Sequence, residues 1–307
     1  MSPISRSVRV FQVDAFTSRR FSGNPAGVVL DADALSAGEM QALARELNNG
    51  DTAFLLQPDA ADHDLRVRFF TPRREAAFVG HATLAAHAVL AALKLPARRR
   101  QKQSSGLVEI DTIEGAWPPR IAIHQPPPVL PRPLGQQHLS AVLEALTLTS
   151  DELDPRCPPV VAGQSGGRVL LGVAQGATLA RLRPDAARLT TLSDDIGAPG
   201  YFLFSLQPSL PEVHTEARMF CPALGIAEDP VSGNAHALLG AYLLQLGLLK
   251  VAAGASGDGT IEFTGAQGHH LGRPGRVSIA LSVAGGTLQS VSILGEAVIV
   301  FSTTLEF

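Results

Sequence analysis

The sequence predicts an α+β protein built of two similar halves, and three observations carry the prediction. A short signature occurs twice: Arg68-Phe69-Phe70-Thr71-Pro72 leads into Gly80-His81-Ala82, and Arg218-Met219-Phe220-Cys221-Pro222 leads into Gly233-Asn234-Ala235 about half of the 307-residue chain later. Strand-like runs far outnumber helical ones, and each half carries one main apolar helix for a sheet to wrap. No GxGxxG, Walker loop or HExxH is present to argue for a nucleotide fold or a zinc peptidase. Two such halves facing each other put two helix N-termini on one cleft, a site for an anionic small molecule.

The elements follow in order. Residues 7–16 alternate as a strand, with Val8, Val10, Phe11 and Val13, and Phe21-Ser22-Gly23-Asn24-Pro25 turns the chain into a second apolar strand at 26–30. Ser36-Ala37-Gly38-Glu39 is a capping box for a helix whose face is Met40, Leu43, Ala44 and Leu47. Asn48-Asn49-Gly50 ends that helix, since Asn and Gly tolerate the left-handed conformation, and Asp51 enters the strand 52–56. A strand at 65–70 and a helix from Gly80 to about Leu93 follow, then a strand pair at 108–113 and 121–124. Arg98-Arg99-Arg100 with Lys102 reads as a solvated basic linker. The Pro-rich run 125–133 marks the crossing between halves.

The second half predicts short helices at 150–154 and 184–192, strands at 168–173, 201–206 and 213–220, and a main helix at 233–248. Strands follow at 259–263, 276–283 and 290–301, the last broken at Gly295-Glu296. The expected division is therefore 1–128, 129–290, and a closing strand 291–307 that returns to the first domain.

Composition narrows the function. A formal net charge of −3 supplies no basic field for nucleic acid. Cys157 and Cys221 are far apart and form no CxxC or zinc spacing, which fits a reducing, cytoplasmic setting. The start runs directly into a strand, so no signal peptide is expected, and the apolar stretches 82–93 and 237–249 are too short or interrupted to span a membrane.

The candidate chemistry lies at the two helix starts. Gly80-His81 and Gly233-Asn234 let backbone approach a carboxylate, although either glycine can simply open a helix tightly. His81 can donate a hydrogen bond or carry a proton, or serve as a capping or core histidine. His87 reads as core, and His236 fits either role. Asp51 and the Glu228-Asp229 pair are the candidate acids, against the alternatives of a turn residue and helix-dipole partners. Asp62-His63-Asp64 has the look of metal ligands but reads as a solvated loop, and Ser165-Gly166-Gly167 reads as a loop without a hydrolase elbow.

These residues also spell a family likeness. Val13-Asp14-Ala15-Phe16-Thr17, Gly23-Asn24-Pro25-Ala26, Ala44-Arg45-Glu46-Leu47-Asn48, Phe70-Thr71-Pro72 and Gly80-His81-Ala82-Thr83 resemble the phenazine-biosynthesis (PhzF-like) isomerase family. Arg218-Met219-Phe220, Glu228-Asp229-Pro230-Val231-Ser232-Gly233, Gln267-Gly268 and Gly272-Arg273-Pro274-Gly275 extend the likeness through the second half. The resemblance implies the diaminopimelate-epimerase-like fold, two pseudo-twofold-related domains with a barrel-like, mostly antiparallel sheet around a central helix and the site between them. It also implies a homodimer working without metal or organic cofactor, and proton shuttling on a small carboxylic acid.

Carried over by position, the family's catalytic glutamate falls on Asp51, which is one methylene shorter, and its preceding serine on Gly50. His81 and Asp229 match the family's polar substrate contacts, and Asn24, Gly80, Ser232, Gly233 and Asn234 are the implied substrate-binding positions. The two thiols of the related epimerases correspond to Val79 and Ser232, which argues against a two-thiol mechanism. The leading expectation is a cofactor-independent isomerase of a small cyclic or amino-acid-like carboxylate. An amino-acid racemase or epimerase, and a non-catalytic small-molecule-binding protein, are the alternatives.

Overall fold

The structure, a computed structural model, describes residues 6–96, 98–113, 118–129, 131–163, 167–250 and 258–307. Ser165 and Gly166, expected in a loop, lie outside the described residues. The chain divides into two compact units, Met1–Gln125 with Leu294–Phe307, and Pro126–Ile293.

The first unit runs β1 (Ser7–Ala15), β2 (Asn24–Leu30), α1 (Ala37–Leu47), β3 (Asp51–Leu56), β4 (Leu65–Phe70), β5 (Glu75–Ala76), α2 (Gly80–Ala92), β6 (Arg98–Gln103), β7 (Gly106–Ile113) and β8 (Arg120–Gln125). α1 begins at the expected capping box: Ser36 Oγ accepts from the Glu39 N–H at 3.3 Å and Glu39 Oε2 accepts from the Ser36 N–H at 2.7 Å. It ends where Asn48 turns left-handed at φ 51°. Met40, Leu43 and Ala44 bury its inner face on Val8, Val10, Val29, Phe54 and Phe70.

β2 and β3 are parallel across the α1 crossover, and β4 and β6 are parallel across α2. The pairs β1–β2, β3–β4, β4–β5, β6–β7 and β7–β8 are antiparallel. The last strand of the chain, β17 (Thr287–Glu306), pairs with β8 and runs antiparallel to β1. The ring of strands closes as a mixed barrel. α2 lies against β1, β2, β3, β7 and β8 and is buried from Ala82 to Leu90. Such a helix has to be apolar all round, and its small Ala and Gly residues let the sheet approach.

Three expectations in this unit are corrected. β17 is continuous through Gly295-Glu296. Gly295 serves close packing instead: a Cβ there would stand 2.5 Å from Phe16 Cδ1 and 2.8 Å from Leu84 Cδ1. Gly295→Ala should cost about 1–3 kcal/mol of stability, read as a lower urea midpoint at unchanged slope. The basic run is the strand β6 and not a solvated linker. Arg99 Nε is buried without a hydrogen-bond partner, and the Arg100 N–H donates to Asp64 Oδ2 at 2.6 Å. Nor is the Asp62-His63-Asp64 loop fully solvated. The His63 ring is buried, with Asp62 Oδ1 2.6 Å from Nδ1 and Asp59 Oδ1 3.0 Å from Nε2.

The second unit runs β9 (Arg132–Pro133), α3 (Gln136–Leu146), β10 (Val160–Ala162), β11 (Arg168–Gly172), α4 (Gly176–Arg181), α5 (Ala186–Ile196), β12 (Gly200–Ser205), β13 (Thr215–Cys221), β14 (Ile226–Asp229), α6 (Gly233–Gln245), β15 (Gly259–Gln267) and β16 (Gly275–Ala284). Alternation along β10 to β12 divides its core. Val161, Val169, Leu171, Tyr201 and Leu203 face a cluster with Val142, Leu146 and Leu189 of α3 and α5. Val160, Ala162, Leu170, Phe202 and Phe204 join Leu239, Tyr242 and Leu243 of α6. The sheet therefore carries helices beyond the one main helix expected, and α3 and α4 are additions to the elements read from the sequence.

The repeated Arg-x-Phe signature has a physical cause in each unit. Arg68 lies over the Phe70 ring at 5.1 Å and donates two hydrogen bonds to Glu75, at 2.7 and 2.8 Å. Arg218 lies over Phe220 at 4.9 Å and donates to Glu228 at 2.9 and 2.7 Å. Residues i and i+2 share a face of a strand, so the guanidinium stacks on the ring while its fork takes a carboxylate.

Candidate active site

Asp51 opens β3 and is 8% exposed. It lies opposite Ala26 in the parallel pairing with β2, and Asn24 starts that strand two residues earlier. Period-two alternation puts the Asn24 and Asp51 side chains on one face of the sheet. Asn24 is buried.

His81 is the second residue of α2, after Gly80, and its N-cap position is Val79 in extended conformation with no side-chain cap. The first turn is held by Thr83, whose Oγ1 donates to the Val79 carbonyl at 2.8 Å. This start aims the imidazole at β3, and His81 Nε2 stands 3.8 Å from Asp51 Oδ2. That separation exceeds hydrogen-bond length. His81 Nε2 is buried with no hydrogen-bond partner, a costly state for a polar atom unless a ligand completes it. Burial pushes the His81 pKa down to about 4, so the ring is neutral at pH 7. A carboxyl group and a neutral imidazole with an unfilled nitrogen thus meet at the N-terminus of an apolar helix. The pair can exchange a proton with a bound molecule and orient it by one hydrogen bond.

In the second unit, Asp229 ends β14, and Ser232 caps α6, its Oγ accepting from the Ala235 N–H at 3.3 Å. Gly233 is buried in the first turn and Asn234 is partly exposed beside it. Gln267 ties this segment together: its Nε2 donates to the Asp229 carbonyl at 2.7 Å and its Oε1 accepts from the Ser232 N–H at 3.1 Å. Gly268 follows at φ 87°, where a Cβ would meet the Pro230 carbonyl at 2.8 Å. The strapping role of Gln267 was not read from the sequence, although the Gln-Gly pair marks the tight turn it needs. Glu228 is committed to Arg218.

The other candidates are structural. His87 Nε2 donates to Gln101 Oε1 at 3.0 Å in a buried chain of amides. His236 Nδ1 donates to the Ser232 carbonyl at 2.8 Å and its ring meets Phe202 edge to face, while its Nε2, also buried without a hydrogen-bond partner, packs against Gly265 of β15. Burial pushes the Cys157 and Cys221 thiols up to about 12, so neither is a thiolate base at neutral pH. Among the described residues no group of three His, Cys, Asp or Glu side chains is placed to hold a metal ion, and no helix is long and apolar enough to cross a membrane.

Comparison with known proteins identifies the family. The uncharacterized isomerase YddE of Salmonella typhimurium is 39% identical over 297 residues, covering 95% of this chain and 96% of that protein. The trans-2,3-dihydro-3-hydroxyanthranilate isomerase of Pseudomonas aeruginosa is 30% identical, covering 94% and 95%. The crystal structure of a PhzF-family phenazine biosynthesis protein from Bacillus anthracis superposes with a TM-score of 0.84 at 27% identity, over 98% and 99% of the two chains. The sequence pattern of the family described as phenazine biosynthesis-like protein matches residues 13–303, and this chain, with its closed mixed barrel around α2, belongs to that family of PhzF-like isomerases.

Proposed function

We propose that the chain is a cofactor-independent isomerase that moves a proton on a small cyclic or amino-acid-like carboxylate, with Asp51 as the general acid/base. The observation that carries this reading is the Asp51–His81 pair, 3.8 Å apart, with His81 Nε2 buried and unfilled. The Asp51 carboxylate takes a proton from a substrate carbon, and the carboxylic acid so formed, in exchange with solvent, gives a proton to another carbon, so atoms and charge balance. The neutral His81 orients a substrate polar group through Nε2. The N–H groups at Gly80-His81 bind the substrate carboxylate and Asn24 adds a polar contact, while Asp229, Ser232, Gly233 and Asn234 are the further substrate positions that the family likeness implies. By likeness to the Pseudomonas isomerase, trans-2,3-dihydro-3-hydroxyanthranilate is the first substrate to test. The repeated signature and the family likeness support two pseudo-twofold-related domains and a homodimer, the latter checked by light scattering.

The test is isomer formation from a panel of cyclic and amino carboxylic acids, followed by NMR with and without chelator. Turnover that survives the chelator supports the reading, and turnover that requires an added metal or cofactor contradicts it. Asp51→Glu should raise a rate limited by the reach of the acid, since a small misplacement of a reacting group costs about a hundredfold.

A further inference from the structure

The connection from α1 to β3 is Asn48, Asn49 and Gly50, and Asp51 follows at once. At the helix end the Asn48 N–H donates to the Ala44 carbonyl at 3.1 Å. Gly50 is exposed, and a Cβ there would touch nothing within 4 Å. Packing therefore does not hold the residue that precedes the carboxylate. Two side-chain hydrogen bonds grip the chain one residue earlier. Gln12 Nε2 donates to Asn49 Oδ1 at 3.0 Å, and Asn49 Nδ2 donates to Gln12 Oε1 at 2.8 Å.

Gln12 faces a bulge in the neighbouring strand: Gln12 pairs with Phe301 and Val13 with Ile299, so the extra residue lies on β17. Gly27 stands opposite Gln12 on β2, and Thr52 stands opposite Gly27 on β3. A Cβ at Gly27 would come within 2.7 Å of Thr52 Oγ1 and 3.0 Å of Leu47 Cδ1. The missing side chain lets the last turn of α1 seat on this row, which brings Asn49 within reach of Gln12. The neighbouring row, Val13, Ala26 and Asp51, points to the opposite face. The amide pair thus holds the chain from one face of the sheet while the carboxylate projects from the other.

We propose that Gln12 is a positioning residue that, through its reciprocal amide pair with Asn49, holds the Asp51 carboxylate facing His81. A catalytic role for this arrangement rests on the reading of Asp51 as the proton-transfer acid; the positioning itself does not. Each amide satisfies the other, so the connection has one favoured geometry. Loss of either partner frees it and leaves the other amide half-satisfied.

The full chain is compared with Gln12→Met, which keeps side-chain length without the hydrogen bonds, with Asn49→Ala, and with the exchanged pair Gln12→Asn/Asn49→Gln, which keeps both amides. Amide hydrogen exchange at 48–51 should quicken about tenfold in the two single variants. Exchange within α2 should be unchanged, and the exchanged pair should return toward wild type. The His81 ring resonances should shift in the single variants, because the Asp51 carboxylate leaves its place. With trans-2,3-dihydro-3-hydroxyanthranilate as probe, kcat should fall about a hundredfold at unchanged KM. Wild-type exchange at 48–51 and unmoved His81 resonances in both single variants would overturn the proposal. Faster exchange and shifted resonances, in a wild-type chain that turns over no probe, would support the positioning role and count against the proposed reaction alone.

Discussion

Asp51→Asn should lose about a thousandfold or more in kcat while the chain stays folded, since a positioned acid/base is worth about 10²–10⁴ in rate. The amide keeps the shape and a hydrogen-bonding oxygen, but it neither takes nor returns a proton. The substitution places no unpaired charge in the site and makes no cavity, so urea unfolding should move little. The comparison with His81→Ala separates the two roles. That variant keeps the acid and loses the orienting nitrogen, so its effect should fall largely on substrate binding. Full activity of Asp51→Asn in steady-state assays would remove Asp51 from the mechanism.

Acidification from pH 6.5 to 4 should destabilise the fold by several kcal/mol. His81, His87 and His236 are held neutral, each with its pKa pushed down to about 4 by burial, the largest cause in every case. In the unfolded chain an imidazole titrates near 6.5. Between about pH 4 and 6.5 the unfolded chain therefore binds more protons, and stability rises with pH across that window. Each histidine contributes on the order of 3 kcal/mol to the change. Against a total stability of about 5–15 kcal/mol, three such terms bring the fold close to unfolding. Carboxylates with depressed pKa, such as Asp154 beside Arg156, act in a lower window, below the ordinary carboxylate range. Urea midpoints at pH 7 and pH 4.5 check the sign. A flat profile would contradict the burial argument, and His87→Gln should remove about one third of the slope.

What could be read from the sequence was mostly local. The Ser36–Glu39 capping box, the Asn48 terminus, the strand at 65–70 and the main helix starts at Gly80 and Gly233 depend on neighbours in the chain, and the structure has each of them. The strand β6 was hidden because Arg-Arg-Arg-Gln-Lys-Gln has no apolar alternation; the barrel recruits it by pairing with β4 and β7. α3 was hidden because its N-cap is Gly135 with no side-chain cap, although Leu139, Val142, Leu143 and Leu146 repeat at helical spacing. The juxtaposition of Asp51 with His81 came from the family likeness and not from spacing, since sheet register and a crossover helix bring them together. Three further pairings were not read from the sequence: Glu75 for Arg68, Gln267 for the α6 start, and Gln12 for Asn49, 37 residues away. Such pairs are written in strand register, which a single sequence does not display.

The most direct test of the proton-transfer account is solvent deuterium uptake into trans-2,3-dihydro-3-hydroxyanthranilate and related small carboxylic acids, run in D₂O and read by mass spectrometry, with wild type beside Asp51→Asn. Deuterium at one substrate carbon with wild type, and none with Asp51→Asn, is the predicted result. Equal uptake with both proteins, or turnover by wild type that leaves every probe's carbon-bound protons untouched by any transfer, would contradict the assignment of Asp51 as the group that moves the proton.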